Sequence, residues 1–370
     1  MRLLEGKVQH YEWGGHVFIP SLLGRSGKAR KPHAEYWLGA HPKAPAMVRT
    51  NRGWTPLTEI APDLPYLLKV LDAREMLSIQ AHPSLARARR GFAAENAAGI
   101  PRSADARNYK DANHKPEVHV ALTPFWMLNG FRPWPQIQDL LARAPELHPL
   151  RRAKSLKALV RRVLTMPAPG EMLAPLLDRL RKQGAAGKEV PEYWVLRAAN
   201  AFPNAANDRG LFFIFLLNLV VLKPGEGTYQ PPGVLHAYLE GSTVELMANS
   251  DNVLRAGLTT KHVDTAELLR TISYESGFPP ILRGEPAGRG IRVYRTPSRE
   301  FELSRIQVAP GARRRREARG PAILLLGEGS ATVGGIALRR GQAVFARDEK
   351  YWIEAGASGV ELFEAAVPSP

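Results

Sequence analysis

The chain has 370 residues, 44% of them apolar, with 51 Lys and Arg against 35 Asp and Glu and a formal net charge of +16. That length supports a large core in two or three structural units, and the absence of cysteine excludes disulfides, thiolate metal sites and thiol nucleophiles. The longest apolar stretch, Leu211–Leu222, is interrupted by Asn218 and is too short for a membrane span.

In chain order, MRLLEGKVQHYEWGG at the start lacks the apolar segment of a signal peptide and reads as mature protein, and a cytoplasmic location is expected. Short apolar runs with turns follow. Trp37–Pro42 and Ala46–Val48 read as short strands, and Leu67–Asp72 as a strand with Lys69 inside it. Leu77–Pro83 alternates and ends in proline, which predicts a strand running into a turn. Ser84–Asn96 has helical composition. From Trp134 to about Ala201, Leu and Val recur at three- and four-residue spacing, which predicts amphipathic helices. After Asn204 strands return. Leu211–Leu222 reads as a buried strand, Val234–Tyr238 and Val244–Met247 as further strands, and residues 265–276 as a helix. The last 80 or so residues alternate short strands with glycine turns. This pattern argues for a mainly β protein of barrel or jelly-roll type carrying a helical insertion.

The stretch NYKDANHKPEVHVALTPFWMLNGFRP, residues 108–133, gathers His114, Lys115, Glu117 and His119 before the pattern turns apolar. Charged groups among apolar neighbours are costly unless a site uses them. On a strand, Lys115, Glu117 and His119 would share one face. Gln80 and His82 offer two more donors on one strand face, and His236 offers another imidazole. Gln80, His82, Glu117 and His236 make a mixed nitrogen and oxygen set that suits zinc and tolerates other first-row divalent metals. Arg255, between Leu254 and Ala256, reads as a sheltered guanidinium facing either an anion or an internal partner such as Asp251 or Glu245.

The Arg clusters at 87–90, 151–162 and 313–316 lack interleaved aromatic residues. No helix-turn-helix or zinc-finger pattern accompanies them, so they read as solvated surface and not as a nucleic-acid footprint.

VQHYEWG near the start, AEYWLGAHP at 34–42, LLKVLDAREMLSIQAHP at 67–83, NHKPE at 113–117, GVLHAYLEG at 233–241 and ELMANSDNVLRAGLTTKHVD at 245–264 resemble, in order, the type I phosphomannose isomerase family. The resemblance implies cupin-type jelly rolls with an inserted helical domain. The chain would divide into a first catalytic part at 1–135, a helical insertion at 136–203, a second catalytic part at 204–280 and a C-terminal β domain at 281–370. It implies one zinc per chain on Gln80, His82, Glu117 and His236, and an essential arginine at Arg255. Lys69, His114, Lys115, Glu245 and Lys261 match positions lining the family's pocket.

The implied reaction moves a proton between C1 and C2 of open-chain mannose 6-phosphate and fructose 6-phosphate. Lys115, His114 and Glu245 are the proton-transfer candidates, and Lys69, Lys261 and Arg255 the contacts to phosphate or hydroxyls. The expected partner is a small sugar phosphate, with no nucleic acid and no membrane, bound to a monomer. Val118-His119-Val120 departs from the family's more apolar segment, and His119 is left outside the ligand set because the match assigns Glu117. The alternatives are a redox metallo-cupin such as an oxygenase, against which Gln80 argues, and a non-catalytic sugar-phosphate sensor.

Overall fold

The structure is a computed structural model and describes residues 1–184, 187–202 and 204–368. Residue 203, at the expected boundary between the helical insertion and the second catalytic part, lies outside the described residues, as do the last two residues of the chain. Strands dominate, in one sheet of ten strands and another of nine, each an open path with side branches and not a closed barrel.

The ten-stranded sheet is organised around one long strand, His236–Ala248. Its second half lies between Tyr66–Ala73 and Glu117–Ala121, so that Lys69, Glu245 and His119 fall in register. Its first half pairs with Phe125–Phe131 and Ile79–Ala81, aligning His236 with Asn129 on one side and Gln80 on the other. Leu254–Gly257 continues the row by setting Arg255 opposite Gln80. Side chains alternate across a sheet, and the alternation separates two environments. Val118, Val120, Val244, Leu246, Leu68 and Val70 face one way, where they pack with Phe301, Leu303, Ile323, Leu325 and Phe363 in a single core. Glu117, His119, Glu245 and Lys69 occupy the opposite face.

The nine-stranded sheet carries those core partners. It is built mainly from the chain's last strands, but Arg2–Glu5 pairs with Ala343–Ala366 and with Met47–Thr50. The first residues of the chain therefore belong to the same sheet as the last, and the sheets do not follow a cut at residue 281. Tyr66 ties the two layers together by donating to the Ala365 carbonyl at 2.8 Å.

Helices Trp134–Arg143, Leu156–Thr165, Gly170–Gln183 and Pro191–Ala201 form the helical block. Ser155 caps the second by accepting from the Ala158 amide. Their buried Leu, Val and Trp194 share one core with Ile79, Ala81, Leu235, Ala237, Leu254 and Ala256 of the sheet. Leu211–Leu222 differs from the expected single strand. Gly210–Leu216 is a fully buried helix, and only Leu217–Leu222 is a strand. A segment buried on all sides shows no polar stripe, so its periodicity cannot separate helix from strand. Gly210 opens that helix against the Leu258 amide, where an added Cβ would lie 2.5 Å away. Among the described residues, no helix is long and apolar enough to cross a membrane.

Candidate metal centre and substrate pocket

Two loops are bound to each other before any metal enters. The Asn252 side chain accepts from the Lys110 amide at 2.7 Å and donates to the Asp111 and Asn113 carbonyls, both at 2.8 Å. Asp111 returns the contact, accepting from Ser250 Oγ at 2.9 Å and from the Asp251 amide at 2.8 Å. The small polar residues of the SDN segment thus pin the loop that leads into Lys115 and Glu117. The same segment orients a metal donor, because His82 Nδ1 donates to the Asn252 carbonyl at 2.8 Å.

His82, Glu117 and His236 converge, with one donor atom from each lying within 4.8 Å of the others and all three buried. His236 Nδ1 donates to the Val234 carbonyl at 3.0 Å. With both Nδ1 atoms used as donors, each Nε2 presents a lone pair. These lone pairs face Glu117, at 3.4 Å for His82 and 3.5 Å for His236. Neither Nε2 has a hydrogen-bond partner among the described residues, although both are buried. Buried acceptors aimed at one carboxylate are what a divalent cation requires. Burial, then the charge of Lys115, pushes the His82 pKa down to about 4, which keeps the ring neutral and able to ligate. Burial would raise the Glu117 pKa, but Lys115 and His82 outweigh it and hold the carboxyl well below its usual range. Gln80 stands in register between His236 and Arg255, and its side chain has no hydrogen-bond partner among the described residues. Two imidazoles and a carboxylate converge as a donor set that fits zinc.

Beside this cradle lies a buried bed of charge. Lys115 Nζ is 2.8 Å from Glu117 Oε1. Lys69 Nζ sits 2.6 Å from Glu245 and 3.7 Å from Glu35. Burial opposes the Lys69 charge, but Glu245 and Glu35 raise its pKa above that of an ordinary lysine. Lys69, expected to meet phosphate or hydroxyls, is thus committed to two carboxylates, because a buried ammonium needs counter-charges at contact distance. Burial would raise Glu245 as well, yet Lys69 holds it below the usual carboxylate range. Glu35 goes the other way, raised because burial outweighs Lys69. His114 is not joined to this cluster. Its Nε2 lies 2.7 Å from Glu300 Oε1, a partner from near the C-terminal sheet.

Arg255 lies opposite Gln80 on the neighbouring strand. Its guanidinium is largely sheltered, burial lowers its pKa, and no acceptor pairs with it among the described residues. The internal partners weighed for it are engaged elsewhere, Asp251 with Lys43 at 2.7 Å and Glu245 with Lys69 at 2.6 Å. Lys261 stands near enough for Arg255 to depress its pKa, after burial itself. An unpaired arginine and a lysine under like-charge strain form a mouth that calls for an anion.

Sequence reasoning missed three members of the site. Tyr238 donates to Glu117 Oε2 at 2.9 Å, and burial keeps its hydroxyl protonated. Glu35 and Trp37 join through a 2.5 Å bond from the indole N–H. Tyr238 follows His236 by two residues on one strand, and Glu35 precedes Trp37 by two, so strand alternation was the available signal.

Fold and donor set together define a cupin-type β scaffold built around a divalent-metal cradle with a cationic mouth. Residues 1–134 match the family model for the phosphomannose isomerase type I catalytic domain. A mannose-6-phosphate isomerase of Escherichia coli (strain K12) is 38% identical over 329 residues, covering 82% of this chain and 83% of its own. The chain belongs to the type I phosphomannose isomerase family. A crystallised variant of phosphomannose isomerase from Salmonella typhimurium superposes with a TM-score of 0.89 at 31% identity, over 99% of each chain. A zinc-bound mannose 6-phosphate isomerase superposes with a TM-score of 0.87 at 32% identity, over 100% of this chain and 99% of that one.

Proposed function

We infer that this protein is a zinc-dependent aldose–ketose isomerase that interconverts mannose 6-phosphate and fructose 6-phosphate. The observation that carries the reading is the pair of buried, unpartnered imidazole Nε2 atoms facing one carboxylate beside an unpaired guanidinium. Gln80, His82, Glu117 and His236 would hold the metal, and when bound it supplies a Lewis acid for the sugar oxygens.

The chain's own residues do the rest. Arg255 stays protonated throughout and holds an anionic group of the substrate, with Lys261 as the second cation at the mouth. Lys69 is unsuited to act as a base, since its two carboxylates keep it charged, and it instead fixes Glu245 in the ionised form. The proton between C1 and C2 moves through Lys115 or Glu245, the two candidates bordering the cradle. His114, hydrogen-bonded to Glu300, is assigned to ring opening. Retention of deuterium from C2-deuterated substrate, compared in K115M and E245Q, separates the two proton carriers.

A coupled assay with mannose 6-phosphate before chelation, after chelation and after zinc re-addition tests the function. Turnover that is lost and then restored is expected. Zinc-loaded protein with no turnover sinks the reading.

A further inference from the structure

His119 is fully buried and has no part in the ligand set. Three oxygens surround its Nε2, with Tyr238 Oη at 2.6 Å, Glu117 Oε2 at 3.5 Å and Glu245 Oε1 at 3.7 Å. A lone pair aimed at two carboxylates would be repelled, so Nε2 carries the ring proton and donates it to Tyr238 Oη, the nearest of the three. Tyr238 has a single hydroxyl proton. With its oxygen accepting from His119, that proton goes to a carboxylate, and Glu117 Oε2 at 2.9 Å is closer than Glu245 Oε1 at 3.4 Å.

We propose that His119 is a positioning residue for Glu117, acting through the relay His119 Nε2–H to Tyr238 Oη–H to Glu117 Oε2. The relay fixes one carboxylate oxygen while Lys115 addresses the other at 2.8 Å. It holds the plane of the carboxylate between His82 and His236, and hydrogen bonds in series reinforce one another. Groups that orient a metal ligand in this way commonly govern metal affinity by about 10–100-fold.

Glu117, His119 and Glu245 could also be read as a second cation site, since one donor atom from each lies within 4.8 Å of the others. The His119 Nε2 that faces the two carboxylates is engaged by Tyr238 Oη at 2.6 Å, and Glu117 Oε2 accepts from the same hydroxyl at 2.9 Å. The relay needs no further ion.

The proposal rests on the metal cradle of the proposed function, and its test does not depend on turnover. Zinc affinity is measured by competition with a chromophoric chelator, and the ligand field from the visible spectrum of the cobalt-substituted protein, for the native chain, H119V, H119Q and Y238F. H119V is expected to bind zinc about tenfold or more weakly, with a shifted cobalt spectrum. H119Q is expected to recover both, because its amide N–H can donate where the imidazole did. Y238F should reproduce H119V, and it carries the same test should H119V fail to fold. Native zinc affinity and an unchanged cobalt spectrum in either H119V or Y238F would overturn the relay. So would two metal ions per native chain falling to one in H119V. Protein that binds zinc as described but does not isomerise would count against the function and leave the relay standing.

Discussion

His82 and Asn252 are joined by a 2.8 Å hydrogen bond from the imidazole Nδ1 to the Asn252 carbonyl, and that asparagine also locks the loop preceding Glu117. One residue thereby sets the direction of a nitrogen donor and the entry of an oxygen donor. The geometry of the cradle depends on backbone carbonyls that only a fully satisfied loop can hold still.

Asn252→Ala should therefore cost stability and metal together. It takes the Asn252 amide from the Lys110 N–H and from the Asp111 and Asn113 carbonyls in a partly buried setting, a loss of about 2–4 kcal/mol. Chemical denaturation with metal analysis of the purified protein measures both. An Asn252→Ala chain of native stability with full zinc content would show that the loop does not hold the cradle.

His236→Ala removes one of the two free imidazole donors and leaves His82 as the remaining one beside Glu117. Zinc content and isomerase turnover should fall in parallel, with activity down about a hundredfold or more. Full turnover in metal-free His236→Ala protein would mean that the cradle is not the reactive centre.

The candidate donors were legible because strands obey a period of two. Gln80 and His82 lie two apart, and Glu117 begins a strand whose alternate members are apolar, so the polar positions stand out. The helical block was legible for a similar reason, as its surface face keeps a polar stripe against buried Leu159, Val163, Leu173 and Leu177. What the sequence hid was registration between strands distant in the chain. Nothing local says that Lys69 lies opposite Glu245, or that Tyr238 meets His119 across 119 positions. Lys69 accordingly looked available for substrate, and Tyr238 carried no role beyond its place on a strand. Leu211–Leu222 failed for the opposite reason, since the full burial of its first half, Leu211–Leu216, left no polar stripe to separate helix from strand.

Arg255→Ala should separate binding of the metal from chemistry. The guanidinium touches none of the donors' hydrogen-bond partners, so zinc content should stay near native. Turnover should drop about a hundredfold or more, the usual loss when a fixed cationic or hydrogen-bonding group is taken from a developing anion. Arg255→Lys should recover only part of it, because an ammonium lacks the planar fork that grips two oxygens at once. Loss of zinc in Arg255→Ala would assign the residue to the cradle instead of the substrate.

The acid limb of stability should carry the signature of Glu240, which pins the helical block to the sheet by accepting from Lys188 and from Arg197. Burial would raise its pKa, but those two cations outweigh burial and hold it below the usual carboxylate range. A depressed folded-state pKa contributes stability above the unfolded value of about 4.3 and loses it as pH falls through the lower folded value. Glu240→Gln should therefore be less stable than the native chain at pH 7, by about 1 kcal/mol given the partial exposure of all three side chains. The difference should shrink as the medium is acidified below pH 4 or so and vanish once Glu240 is protonated in both states. Urea midpoints for the two chains across pH 3–7 measure it, and a gap that stays constant down to the lowest pH would show that the carboxylate's charge is not what fastens the helices.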